Sequence, residues 1–410
     1  MPQYRILEQF NLLLIRYSEI WLKSQKVKIR MLKILMDNLK KLLEREGISF
    51  HKYQLSKDSS RILFFFDNLD IENAITVCLR VFGIHSISPA LRTSSKINNI
   101  MERTLEVAQL ILEKGDTFAL KVKRSGKHDF SSLEVAQTVG KAILDQFPEL
   151  RLKVNLSNPK KTIFIEIRAD FSYIFLEIIP SNWGGLPIEY NKKVLVMDIG
   201  RINDLLAGFL LMRRGCEIYP LLFDNSNNQE TMQSWFENWQ EVTKFVPYDH
   251  IPLKRINLYQ ILSKLAVKLE DNTHFCALCR MIRMAIVAKY LKTSKETFIP
   301  KIRAITDGTT LNNMTICNDI VDLESLSLNS LFSVYPIFTS LIGLDENIIN
   351  NLLSHISSNI NKFTYCVFKP KNQEINVEIV KSLYETLKIE ELVEQSLTNL
   401  EDLKLYFKLD

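Results

Sequence analysis

The periodicity of apolar residues predicts alternating strands and helices from the start of the chain. Strands are predicted over 11–16, 61–66 and 86–91, where short apolar runs lie between polar segments. Helices are predicted over 21–46 and 71–81, because apolar residues recur there every three or four positions. This β-α-β-α-β order predicts a small α+β sandwich.

A second unit is predicted after a linker at 93–96. Its pattern gives helix 100–112, strand 117–124, helix 133–147 and strands 153–156, 162–168 and 173–179. The segment Gly184-Gly185-Leu186-Pro187 then marks a boundary.

Strands and helices alternate again from residue 191 onward. The pattern gives strand 194–197, helix 204–214, strand 217–223, helices 230–244 and 276–291, strand 302–306 and an acidic helical segment over 377–409. Such alternation is typical of a doubly wound α/β domain, which binds its ligands at the carboxyl ends of its strands.

Composition adds a charge asymmetry to this picture. The chain has 410 residues, of which 46% are hydrophobic and 24% charged, as in soluble proteins of two or three domains. We expect a cytoplasmic protein without a membrane partner, because no apolar run approaches a span of ~20 residues and no signal peptide is recognisable. The first 190 residues carry 28 Lys and Arg against 21 Asp and Glu, and the rest carry 24 against 26. The basic first half favours a polyanionic partner, although a merely solvated basic surface fits the same numbers.

The basic side chains gather in two places, the helix around 23–45 and the turn over 121–127. Cations at a strand end or along one helix face can reach a phosphate backbone. The residues predicted to contact a nucleic acid are Arg16, Lys23, Lys26, Lys28, Arg30, Lys121, Lys123, Arg124 and Lys127.

The turn after the strand at 194–197 is the candidate ligand loop. A strand, a turn and a helix N-terminus together form a phosphate site, because unpaired N–H groups meet there at the positive end of the helix dipole. The turn reads Asp198-Ile199-Gly200-Arg201-Ile202-Asn203-Asp204, with one glycine, no hydroxyl and two carboxylates. The frame of a nucleotide enzyme is therefore present, but its phosphate-binding residue types are absent.

Two of the six cysteines form a close pair. Cys276 and Cys279 lie three residues apart in a predicted helix, so that both sulfurs lie on one side of a turn. This spacing suits a metal, a cluster or redox chemistry.

Several ordered motifs resemble the tRNA 4-thiouridine synthetase (ThiI) family. The segment 14–23 is similar to that family's opening R-Y-G-E-I-x-L-K signature, with Ser18 in place of the glycine. The turn at 121–127, Asn158-Pro159, 165–168 and the Gly-Gly-Leu-Pro exit resemble a THUMP domain. The segment 211–216 resembles the helix after the family's pyrophosphatase loop, and 334–336 with 341–345 resembles its late P-L-I-G-x-D element.

The resemblance implies a mixed α/β and α+β architecture in four parts. These are an N-terminal ferredoxin-like domain (1–74), a THUMP RNA-binding domain (75–182), a Rossmann-like PP-loop domain of the adenine nucleotide alpha hydrolase type (188–370) and a helical C-terminal tail (371–410).

The resemblance also implies a chemistry. In the family, ATP activates a uridine at position 8 of tRNA, and sulfur then displaces AMP. Cys276, Cys279 and Cys366 match cysteines thought to hold a 4Fe-4S cluster, with Cys366 also the candidate catalytic residue. The alternative is three buried, inert cysteines. The implied partners are tRNA, a second copy of the chain in a homodimer, and a sulfur donor or catalytic paralogue.

The chain departs from the family at the ATP loop. The family's S-G-G-x-D-S falls on 199–204, where Ile199 replaces a hydroxyl, Arg201 a glycine, Asn203 a carboxylate for Mg²⁺ and Asp204 a hydroxyl. We expect Asp204 to cap the helix and to oppose phosphate. The family has a second stretch near the nucleotide, and residues 306–314 match its pattern only in part. These replacements argue against binding of ATP and Mg²⁺. Three hypotheses for the function remain: a sulfur-transfer enzyme with an altered loop, a tRNA-binding pseudoenzyme, or a scaffold.

Overall fold

The computed structural model describes residues 9–67, 70–293, 301–311, 327, 331–332, 335–361, 366–371 and 375–408. These fall into two compact units, Met1–Leu186 and Pro187–Asp410. The predicted boundary at Gly184–Pro187 coincides with the division between them. Within the described ranges, no helix is long and apolar enough to cross a bilayer.

The first unit combines one large sheet with helices. Its elements are β1 (Leu12–Tyr17), a 3-10 turn (Glu19–Leu22), α1 (Gln25–Arg45), β2 (Lys52–Leu55), β3 (Ile62–Phe65), α2 (Ile71–Leu79), β4 (Ile84–Ser94), α3 (Ile97–Ile111), β5 (Thr117–Ser125), α4 (Ser132–Gln146), a 3-10 turn (Pro148–Leu150), β6 (Lys153–Val154), β7 (Lys161–Arg168), β8 (Phe171–Phe175) and β9 (Ile179–Pro180). In the described part, eight strands follow the order β2-β3-β1-β4-β8-β7-β5-β6, and β9 also pairs with β4.

The long strand β4 joins the two halves of this sheet. Its first part pairs antiparallel with β1, and its last four residues pair antiparallel with β8. The predicted linker at 93–96 therefore begins inside a strand. The order β2-β3-β1-β4 with α1 and α2 is that of a ferredoxin-like domain.

Successive side chains of β1 point to opposite faces of the sheet, and both faces are buried. Leu13 and Ile15 pack into a cluster with α1 and α2, whereas Leu12 and Leu14 join Phe175 and its neighbours in another cluster. A strand buried on both faces is apolar throughout, which is why β1 is predictable from sequence.

The second unit is a mostly parallel sheet with helices. Its elements are β10 (Lys193–Asp198), α5 (Ile202–Met212), β11 (Glu217–Asp224), α6 (Gln229–Thr243), β12 (His250–Asn257), α7 (Leu258–Lys268), α8 (Phe275–Thr293), β13 (Ile302–Thr306), β14 (Ile337–Phe338), α9 (Glu346–Ile356), α10 (Val377–Thr386), α11 (Ile389–Thr398) and β15 (Glu401–Tyr406). Its described strands follow the order β14-β13-β10-β11-β12-β15, confirming the predicted doubly wound rhythm.

The C-terminal segment differs from its prediction. The expected helical run over 377–409 ends early, because β15 forms an edge strand antiparallel to β12. Lys388, at positive φ, separates α10 from α11. Both helices contribute to the core cluster of the second unit, with Val380 and Val393 fully buried.

Candidate functional site

The candidate loop lies at the carboxyl edge of the parallel sheet. It begins at Asp198, the last residue of β10, and leads into α5. The neighbouring strand β13 runs parallel to β10 and ends at Thr306, which is paired with Val196. Residues 307–310, which we call the strap, follow β13 at the same edge. This is where doubly wound folds bind ligands.

A buried ion pair closes the turn. The Arg201 guanidinium donates from Nε to Oδ2 of Asp204 at 3.0 Å and from Nη2 to Oδ1 at 2.7 Å. The two side chains are 4% and 0% exposed, so the pair is shielded from water. Asp204 is the third residue of α5, and Arg201 takes the N-cap position, which corrects the expectation that Asp204 caps the helix.

Backbone amides also converge on Asp204. Oδ2 accepts a hydrogen bond from the N–H of Ile199 at 3.1 Å, and Oδ1 accepts one from the N–H of Gly308 at 2.7 Å. Counting Arg201, one carboxylate receives four hydrogen bonds from the turn and the strap. Converging amides of this kind are the groups that bind an anion at a helix N-terminus.

The strap packs directly on the turn. A Cβ added to Gly308 would lie 2.3 Å from the carbonyl carbon of Asn203 and 2.4 Å from the nitrogen of Asp204. The strap is also held through Asp307, whose Oδ2 accepts a hydrogen bond from Nη2 of the fully buried Arg280 at 3.0 Å. Residues 312–314 of the predicted second stretch lie outside the described residues.

Asp198 is a second buried carboxylate at this edge. Its Oδ2 accepts hydrogen bonds from the indole N–H groups of Trp235 and Trp239, both at 2.7 Å, and its Oδ1 accepts from the N–H of Gly200. Burial, with the nearby Asp204 charge, raises the pKa of Asp198 to about 7. Gly200 has φ of +85°, a conformation that favours glycine.

The three predicted cysteines lie in one region of the second unit. Cys276 and Cys279 belong to the first turns of α8, and all three cysteines are partly exposed. Phe368, two residues after Cys366, stacks on Phe275 with ring centroids 5.7 Å apart. Among the residues that the structure describes, no group of three or more His, Cys, Asp or Glu is arranged to hold a metal ion. The cluster therefore stays a prediction.

The predicted nucleic-acid contacts divide into exposed and buried residues. The exposed ones are Lys23, Lys26, Arg30, Lys121, Lys123, Arg124 and Lys127. Lys28 is 8% exposed, and its Nζ lies 4.2 Å from the ring centroid of Trp21.

Arg16 lies in an ion cluster instead of on the surface. Its side chain is 12% exposed and lies 3.3 Å from Oε2 of Glu166, whose carboxylate also pairs with Arg61 and Arg168. Desolvation lowers the pKa of Arg16, and the charge of Glu166 opposes that shift. The position of Arg16 is therefore that of an internal ion-pair partner.

Sequence reasoning missed Arg280 and the two tryptophans, and it named the strap only as part of the stretch 306–314, without its contact with the turn. Arg280 lies inside an apolar helix, a position that requires a partner and that signals a buried ion pair. Trp235 and Trp239 are four residues apart, so their indoles share a helix face. Gly308 lies in that stretch, but its contact with the turn could not be predicted, because the turn is about 100 residues away in the sequence.

Comparison with known proteins assigns a family to this arrangement. Three family models match in order: the ThiI ferredoxin-like domain over 12–88, the THUMP domain over 94–177 and the thiamine biosynthesis protein (ThiI) over 190–389. A probable tRNA sulfurtransferase of Methanocaldococcus jannaschii is 30% identical over 393 residues, which cover 92% of this chain and 97% of that protein. The chain belongs to the ThiI family.

Other ThiI relatives match along nearly the whole chain. A probable tRNA sulfurtransferase of Methanosarcina mazei is 27% identical over 420 residues, covering 97% of this chain and 96% of its own length. A solved 4-thiouridine synthetase–RNA complex with bound ATP superposes with a TM-score of 0.78 at 21% identity, covering 97% of this chain and all of that one. At this identity the likeness establishes the shared fold. The first family match extends past the predicted boundary at residue 74.

Proposed function

We propose that this ThiI-family chain binds tRNA and serves 4-thiouridine formation without binding ATP in its own loop. The observation that carries the proposal is the Asp204 carboxylate, which receives four hydrogen bonds from Arg201, Ile199 and Gly308. In this proposal, Asp204 takes the place that a phosphate takes in relatives that bind nucleotide.

Electrostatics supports the exclusion of ATP. The buried Arg201–Asp204 pair is neutral as a whole, so it offers an incoming phosphate no net positive charge. The amide N–H groups of Ile199 and Gly308 already donate to the Asp204 carboxylate, so a phosphate would have to displace it to use them. The strap leaves no space above Asn203, where even a methyl group on Gly308 would clash.

The basic side chains of the first unit support tRNA binding. Lys121, Lys123, Arg124 and Lys127 are exposed within or just after β5, in the part of the chain that matches the THUMP model. A relative of the same fold was solved as a complex with RNA. We assign these four residues to phosphate contacts, and we assign the activation of uridine to a catalytic paralogue.

A second candidate function is sulfur transfer to the uridine at position 8 by this chain itself. It is favoured by the stacking of Phe368 on Phe275, because this contact brings the segment of Cys366 beside the helix of Cys276 and Cys279. Thiolates are the ligands of iron–sulfur clusters and the nucleophiles of sulfur chemistry. Iron content after anaerobic purification tests the cluster separately.

The two candidates differ in whether AMP is formed. The purified chain is incubated with ATP, Mg²⁺, sulfide and unmodified tRNA, and AMP and 4-thiouridine are measured together with tRNA binding. The proposal predicts tRNA binding without AMP formation above the protein-free background. AMP formed in proportion to 4-thiouridine would reject it in favour of the enzyme, and absence of tRNA binding would reject both.

A further inference from the structure

A cavity of about 330 Å³ lies in the second unit, away from the loop. Its lining includes Leu195 of β10, Leu221 of β11, Leu403 of β15 and Ile302, the first residue of β13. The residues of the turn that holds Asp204 are not among those that line the cavity. Its volume is in the range of small-molecule sites.

A buried tyrosine supplies a polar group to this apolar cavity. Tyr290 of α8 lines the cavity and is 5% exposed. Burial raises the pKa of Tyr290, so that the hydroxyl keeps its proton at neutral pH and can donate. A ligand in the cavity can therefore accept a hydrogen bond from Tyr290.

The rim of the cavity is positively charged. Lys254 and Asp402, paired across β12 and β15, form an ion pair there, and Lys404 lies two residues further along the edge strand. Lys254 Nζ also lies 5.8 Å from the ring centroid of Tyr290. Two cations and one carboxylate leave one positive charge beside the apolar walls.

We propose that this cavity binds a small aromatic anion. The leucines, with Pro220 and Pro252, enclose the ring. The Tyr290 hydroxyl donates a hydrogen bond to the ring or to its substituent, and Lys404 attracts the anionic group. Apolar walls with a few converging polar groups are the usual composition of a ligand site.

The proposal is tested with anilinonaphthalene sulfonate, an aromatic sulfonate whose fluorescence rises in apolar surroundings. The full chain is titrated, and the variants Leu403→Trp, Tyr290→Phe and Lys404→Glu are compared with Lys408→Glu, a charge reversal beyond the end of β15. We expect saturable binding, weakened at least about tenfold by Leu403→Trp, which fills the cavity, and several-fold by the other two cavity variants. Lys408→Glu should bind like the wild type.

Thermal unfolding of each variant separates loss of the site from loss of the fold. If Leu403→Trp does not fold, Tyr290→Phe and Lys404→Glu decide, because they change only one hydroxyl and one exposed charge. Wild-type affinity in folded Tyr290→Phe and Lys404→Glu would overturn the proposal, and so would wild-type affinity in folded Leu403→Trp.

Discussion

Arg201 donates two hydrogen bonds to the carboxylate of Asp204, and the two side chains are 4% and 0% exposed. Both residues lie at positions that the sequence resemblance aligns with the ATP loop of the ThiI family. They are complementary to one another, since the arginine neutralises the carboxylate at the helix N-terminus. Two changes that look like separate losses in the sequence therefore form one structural feature.

Replacing Asp204 by alanine should destabilise the second unit strongly. Removing one partner of a buried ion pair leaves the other charge without compensation, which typically costs about 3–5 kcal/mol. Urea unfolding of Asp204→Ala measures the loss. Glu378→Ala is the matched control, because Glu378 pairs with Lys381 while 82% exposed, and it should change the free energy of unfolding by less than about 1 kcal/mol. If both variants lower the free energy of unfolding equally, burial of the Arg201–Asp204 pair does not determine the cost of removing Asp204.

Replacing Gly308 by alanine should displace the strap from the turn. The added Cβ meets backbone atoms at 2.3 and 2.4 Å, so the strap must shift, and overpacking of this kind costs about 1–3 kcal/mol. The control is Gly343→Ala, since a Cβ on Gly343 meets nothing within 4 Å. Thermal unfolding compares the two variants. If Gly308→Ala unfolds at the wild-type temperature, the strap does not press on the turn.

Asp198 should make stability depend on pH. Its pKa is raised from 3.8 to about 7, so the folded chain keeps a proton that the unfolded chain releases at lower pH. The free energy of unfolding should therefore fall as pH rises from about 4 to about 7 and level off above.

The variant Asp198→Asn removes this titration and should flatten the profile of urea midpoints against pH in that window. Asp345→Asn, at the exposed N-cap of α9, serves as the control and should keep the wild-type slope. If the urea midpoints of Asp198→Asn change with pH as those of the wild type do, another group causes the pH dependence of stability.

The double variant Lys123→Ala, Arg124→Ala should weaken tRNA binding and reduce its salt dependence. Each phosphate contact contributes about 0.7–0.9 to the slope of log affinity against log salt, so two contacts predict a decrease of about 1.5. Lys114→Ala with Lys141→Ala removes two exposed cations from other elements of the same unit and is the control. Filter binding over a range of salt concentrations measures both slopes. An unchanged slope in Lys123→Ala, Arg124→Ala would place the RNA elsewhere.

Much of the fold follows from local patterns. The strand β1 is an apolar run buried on both faces, and α1 has apolar residues at helical spacing, so both are predictable. The strand β2 was missed because Lys52 and Tyr53 are exposed at a sheet edge and give no apolar alternation. The strand β15 was missed because its pairing partner, β12, lies about 150 residues earlier in the chain.

The candidate loop was located from sequence, but its internal contacts were not. A strand, a turn and a helix are local signals, whereas the hydrogen bond from Gly308 to Asp204 spans 104 residues. From sequence, Arg201 and Asp204 are two separate replacements in the ATP-loop motif. Only the fold shows that their side chains meet, and that Arg16 and Lys28 are not surface cations.

Equilibrium binding of ATP tests the central claim most directly. Isothermal titration calorimetry is carried out with Mg²⁺ and tRNA present. It compares the wild type with the double variant Arg201→Gly/Asp204→Ser, in which the internal ion pair is removed. The control is Asp345→Ser, which changes an exposed aspartate in the same way. The account predicts no detectable binding by the wild type or by Asp345→Ser, and measurable binding by the double variant if it is folded. Micromolar binding of ATP by the wild type would contradict the account, because the Asp204 carboxylate would then not exclude phosphate.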